Sequence, residues 1–167
     1  DDAGSNWSTV HSVVPFAGTV LDEVYFAPSN SGIAYVATNK GILRSSDAGQ
    51  SFAPVGTYTG WAQTMAVRPL DADTIFVGAY GVGLLRSTDG GVNYTTVATS
   101  LTTPGIDNPE WLEWELDATT LWYGTLTGVA RTGDLGASWE LETDGLFPST
   151  PIPLDLDAAS DGGVFLG

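Results

Sequence analysis

The side chains with the most chemical capacity in this sequence are carboxylates and aromatic rings. Acids outnumber bases 20 to 5. Two carboxyl groups facing each other across a cleft can hydrolyse a glycosidic bond, one as acid and the other as nucleophile or base. By their place in loops, the candidates for such a pair are Asp22 or Glu23, Asp107, Glu110 and Glu113. Trp61, Tyr80, Tyr58 and Trp111 could bind a ligand beside them. A sugar ring stacks its C–H face on an aromatic ring while its hydroxyls bond to an acid. Spacing selects no carboxyl pair, and ordinary solvation is the competing reading of each acid. For Trp61 and Trp111 the competing reading is packing at the start of an inner strand. The sequence has no cysteine and one histidine, His11. Disulfides, Cys-rich zinc sites and His-clustered metal sites are therefore excluded, and neither metal nor cofactor is expected.

Charge narrows the partners further. A formal charge of -15 on 167 residues repels phosphate backbones and anionic membranes, so no nucleic acid is expected as a partner. No apolar run approaches a membrane span, so no membrane insertion is expected. The first residues, DDAGSNW, do not read as a signal peptide, although a processed secretory segment could have preceded them.

The elements that position these side chains are set by an internal repeat. SSDAGQSF at 45–52, STDGGVNY at 87–94 and TGDLGASW at 132–139 superimpose without gaps, and DDAGSNW at 1–7 carries a truncated copy. The aspartates Asp2, Asp47, Asp89 and Asp134 are 45, 42 and 45 residues apart. Gly49, Gly91 and Gly136 follow two positions later, and Phe52, Tyr94 and Trp139 close each box. Arg44, Arg86 and Arg131 stand immediately ahead of the boxes, which argues for a repeated structural role. Each unit reads as four short strands. In the second these are about 62–68, 74–78, 83–87 and 93–97; in the third, about 111–116, 121–125, 128–132 and 138–141. A sheet of that size cannot bury both faces alone, and radial stacking of such sheets solves the problem. The continuous apolar second strands, Ala34–Val36, Ile75–Val77 and Leu121–Tyr123, suit a sheet sandwiched between neighbours. The faces of the strand beginning at Trp111 stay unassigned.

Within each box, aspartate is expected to accept hydrogen bonds from amides one or two residues on. The Ser or Thr ahead of it is expected to bond back across the hairpin, and the glycine to take a positive φ. The closing aromatic should begin the outer strand and cover the blade edge. A calcium loop is the rival, but one acid per box falls short of the six to eight oxygens calcium takes.

These segments resemble the Asp-box, or BNR, repeat, S/T-x-D-x-G-x-x-W/F, over essentially the whole chain. The family occurs in sialidases, xyloglucan-active glycosidases, sortilin-type receptors and a photosystem II assembly factor. The resemblance implies an all-β fold, a β-propeller segment of four-stranded antiparallel blades with the boxes on the rim opposite the active site. It implies little about function. A sialidase-like site needs an arginine triad, but Arg68 is the one arginine outside the repeated position. The xyloglucan-active stretch Y-A-R-T-D-x-G-G has its counterpart in YVATNKG at 35–41, with Asn39 where a catalytic aspartate would stand. The basic patch of the photosystem factor and the disulfide-rich segment of the sortilins have no counterpart.

Residues 1–10 are read as the end of a split blade, 11–55, 56–98 and 99–142 as complete blades, and 143–167 as the first two strands of another. The end blades are expected to be covered by the rest of a longer chain or by another subunit; a closed four-bladed monomer is the remaining possibility. The expected function is a non-catalytic recognition or scaffold propeller of a secreted or surface-attached protein, binding glycan or protein. The alternatives are part of a secreted glycoside hydrolase, or a structural subunit assembling through its incomplete blades.

Overall fold

The computed structural model describes residues 18–98, 108–115, 118–125 and 128–142, and the backbone of 156–158 and 164–166. The expectations for Asp2 and its box, and for Asp107, lie outside the described residues. The first sheet contains β1 (Leu21–Phe26), β2 (Ala34–Thr38), β3 (Gly41–Ser45) and β4 (Ala53–Val55). The second contains β5 (Ala62–Val67), β6 (Ile75–Ala79), β7 (Gly83–Ser87) and β8 (Thr95–Ala98). The third contains β9 (Pro109–Trp114), β10 (Leu121–Thr125), β11 (Gly128–Thr132) and β12 (Glu140–Glu142). Each is an antiparallel meander in sequence order. A further hairpin pairs β13 (Leu156–Ala158) with β14 (Val164–Leu166). There is no helix among the described residues, and so none long and apolar enough to cross a membrane.

The sheets stack face to face, and the period-2 alternation of the second strands shows how. Ile75, Val77 and Ala79 join Met65, Val67 and Leu85 in a cluster with Tyr35, Ala37 and Ile42 of the first sheet. Phe76, Ala66 and Leu84 turn the other way, onto Leu112, Trp114, Leu121 and Tyr123 of the third. Strand β6 is buried along its whole length because both of its faces meet a neighbour. The stacking is head to tail: Tyr35, Phe76 and Trp122 hold equivalent register positions, each opposite the residue before an aspartate turn, Arg44, Arg86 or Arg131.

The faces of β9 now follow. Leu112 and Trp114 pack on the second sheet, while Trp111 lies opposite Gly124 on the other face. A Cβ at Gly124 would stand 2.0 Å from the indole, so glycine there makes room for the ring. All three inner strands bulge at the same end, between Leu21 and Val24, between Ala62 and Thr64, and opposite Gly124 and Thr125. The surplus residue is Asp22 or Glu23 on β1, Gln63 on β5 and Glu110 on β9.

The aspartate turns differ from expectation in three respects. Asp47 reaches four residues on, its Oδ1 accepting from the Ser51 amide at 2.9 Å and its Oδ2 from the Ser51 hydroxyl at 2.6 Å. Asp89 holds Asn93 and Asp134 holds Ser138 in the same way. The longer reach follows from the backbone: Ala48, Gly90 and Leu135 are already left-handed, at φ 59, 70 and 59°, ahead of the boxes' glycines at 82, 91 and 85°. The chain thus curls around the carboxylate. Second, the Ser/Thr hydroxyl stays inside the turn. Ser87 Oγ donates to Asp89 Oδ1 at 2.8 Å and accepts from the Gly91 amide at 2.9 Å; Ser45 and Thr132 repeat this. Third, the aromatics precede the outer strands, and Tyr94 and Trp139 point inward onto the inter-sheet clusters. Trp139 meets Tyr123 edge-on at 5.5 Å.

Candidate functional site

Two rims result, with different residents. The aspartate turns and the β1–β2 and β5–β6 turns share one. There the Asp47, Asp89 and Asp134 carboxyls are pulled down to about 2. The cause is the Ser51 hydroxyl first for Asp47, the Asn93 amide first for Asp89 and the Ser138 hydroxyl first for Asp134. Each bond favours the charged form. Asp71 is likewise held down, by the Thr74 hydroxyl first and then the Asp73 amide. This rim also carries the clasps between sheets. Arg44 donates to the Tyr35 hydroxyl at 3.2 Å and pairs with Asp73 of the next sheet at 3.1 Å. Arg86 donates to the Leu135 carbonyl, also in the next sheet, at 2.7 Å. Arg131 pairs within its own sheet with Glu140 and Glu142. These acids and arginines are engaged in holding the fold.

The opposite rim gathers a different set. Trp61, just ahead of β5, is 41% exposed, and Tyr80, just beyond β6, is 52% exposed. Their rings lie 5.2 Å apart at 32°, fixed by the Tyr80 amide donating to the Trp61 carbonyl at 2.9 Å. The Trp61 indole N–H donates to Asp22 Oδ2 at 3.0 Å, so the β1 bulge sets a carboxylate of the first sheet against an aromatic pair of the second. Tyr58 supports them from behind. Its hydroxyl donates to the Trp61 carbonyl at 2.9 Å, its ring lies 5.9 Å from that of Tyr94, and burial pushes it up to about 12. The Gly41 amide donates to the Gly60 carbonyl at 2.8 Å, and the Gly81 amide to Asn108 Oδ1 at 2.8 Å, tying each turn to the next sheet.

The sequence-derived residues therefore divide. Asp22, Trp61, Tyr80 and Tyr58 come together. Glu110 is exposed on the β9 bulge. Glu113, with Glu115, lines a groove of about 540 Å³ along the three inner strands. Trp111 does not join the rim surface: it is 8% exposed, filling the space above Gly124. Asn108, Gln63 and the bulges themselves were missed, since one extra residue per inner strand leaves no mark in apolar alternation.

No protein-family model matches the sequence, and no curated protein matches it. Solved structures do. A GH74 xyloglucanase from Xanthomonas campestris superimposes with a TM-score of 0.70 at 20% identity, over 87% of this chain and 26% of that one. The fold is a β-propeller segment. The extracellular domain of BT3049, a hybrid two-component system protein of B. thetaiotaomicron, matches at 0.65 and 16% identity, over 88% and 22%. YCF48 bound to D1 peptide matches at 0.57 and 15% identity, over 90% and 52%. The chain thus spans about a quarter of the GH74 and BT3049 structures. The stacked sheets are propeller blades, with the inner strands toward the axis.

Proposed function

We propose that this chain is the Asp-box part of an extracellular recognition propeller, and that its Asp22–Trp61–Tyr80 rim binds glycan. The observation that carries the reading is the exposed Trp61–Tyr80 pair beside a carboxylate already oriented by the indole. The two tilted rings leave apolar surface open to solvent, and the second lone pairs of Asp22 stay available for hydroxyl donors. The carboxyls held down by turn hydrogen bonds, Asp47, Asp71, Asp89 and Asp134, lie on the other rim. The likeness to a xyloglucanase supports a glycan ligand, and that to the BT3049 extracellular domain supports an extracellular setting, for such a propeller. A protein ligand is the second reading, favoured by the YCF48 structure holding a peptide.

The test is affinity electrophoresis and calorimetry of the chain against soluble xyloglucan, xylan and mannan, with Trp61→Ala and Tyr80→Ala alongside. Binding to at least one polysaccharide, weakened about tenfold or more (~1.4 kcal/mol) by either variant, is expected. Absence of binding to all three, or equal binding by the variants, would remove the proposal. Release of reducing sugar by the wild-type chain would favour the hydrolase instead.

A further inference from the structure

The blades meet through one repeated interface, and one half of that interface is bare. On the face that receives the preceding blade, the inner-strand positions are Met65 and Val67 on the second blade, 0% and 7% exposed. On the third they are Leu112 and Trp114, at 5% and 6%. The equivalent residues of the first blade, by their pairing with β2, are Val24 and Phe26, and these are 48% and 59% exposed. Further out on the same face, Ala34, Val36 and Leu43 are buried. The bare strip is therefore confined to β1, where the first two strands of a preceding blade would lie.

Among the described residues, one element fits that description. Hairpin β13–β14 is a pair of first and second strands, and Asp157 pairs with Phe165 as Ala66 pairs with Phe76 and Glu113 with Trp122. Phe165 thus holds the register position of the aromatic that meets the following blade, as VFLG at 164–167 aligns with IFVG at 75–78. The hairpin packs beside β9, as a blade following the third, and no comparable packing joins it to β1.

We propose that the β13–β14 hairpin of a second copy docks on the Val24–Phe26 strip, continuing the head-to-tail stacking of sheets from one chain to the next. The continuity with two existing interfaces gives the occupant its chemistry: an apolar two-stranded hairpin with an aromatic at the Phe165 position. Such an interface is heterologous, so it builds rings or open chains of copies. An apolar strip on one side of a blade otherwise faces water. The proposal is independent of the rim reading, because neither Trp61 nor Tyr80 is part of this face.

Light scattering on the whole chain tests it, using Phe26→Lys and Phe165→Lys. Phe26 is exposed, so its variant should melt like the wild type. The wild type should have at least twice the 17.4 kDa of one chain. Each variant alone should be monomeric, and an equimolar mixture should regain a dimer, because each supplies the half the other lacks. A monomeric wild type, or a mixture that stays monomeric, overturns the proposal. The chain has no native cysteine, so oxidation of a Val24→Cys/Phe165→Cys double variant gives a second reading. Disulfides between chains support the proposal, and a disulfide within a monomer shows the chain's own hairpin in the strip and overturns it.

Discussion

Ser87→Ala is the substitution whose cost the turn geometry defines most narrowly. Ser87 is 1% exposed. Its hydroxyl donates to Asp89 Oδ1 at 2.8 Å, accepts from the Gly91 amide at 2.9 Å and from the Asp89 amide at 3.3 Å. Removing the oxygen leaves the buried Gly91 amide with no acceptor and takes one bond from the carboxylate. An orphaned buried donor costs about 1–3 kcal/mol. For a chain of this size that lowers the melting temperature by about 2–4 °C per kcal/mol. Ser87→Thr is the control, because Thr132 makes the same contacts in the third blade, at 2.8 and 2.9 Å. Urea unfolding followed by tryptophan fluorescence should show the alanine variant destabilised by about 1–3 kcal/mol and the threonine variant within about 0.5 kcal/mol of the wild type. An alanine variant as stable as the wild type, or a threonine variant as weak as the alanine one, would refute the reasoning about the turn.

The remaining predictions concern charge and packing. The Asp47, Asp89 and Asp134 carboxyls fall from 3.8 to about 2 on folding. Their contribution is therefore complete above about pH 4 and is lost as pH falls through about 2. Urea midpoints measured from pH 6 to 2 should drop across that window, and less steeply in Asp89→Asn. Arg86→Ala removes a charged bond to the Leu135 carbonyl of the next blade and should cost about 1.5–3 kcal/mol. Arg131→Ala breaks partly exposed pairs within one blade and should cost about 1 kcal/mol; chemical denaturation of both separates the two roles. Gly124→Ala would push a methyl into the Trp111 indole and should cost about 1–3 kcal/mol, seen as a lower melting temperature.

Much of the fold was legible because the repeat states it several times. Aligned boxes gave the sheets and their strands to within a few residues, and the unbroken apolar run Ile75–Val77 already required neighbours on both faces. What stayed hidden depends on the third dimension. Alternation in Trp111–Leu116 could not say which side faced the second blade, because both sides carry tryptophan and glycine at 124 decides the matter. The four-residue reach of the aspartates followed from left-handed backbone at Ala48 and Leu135, which those residue types do not announce. Half of the candidate site was visible as aromatics and an acid. Their union needed the β1 bulge, which turns Asp22 toward a tryptophan 39 residues away.

The central claim is that successive sheets bury their faces against each other. Phe76 of the second blade meets Trp114 of the third edge-on at 5.8 Å, so a double-mutant cycle with Phe76→Leu and Trp114→Leu measures that contact directly. The account predicts a coupling energy of about 0.5–1.5 kcal/mol; additive effects of the two substitutions would contradict it.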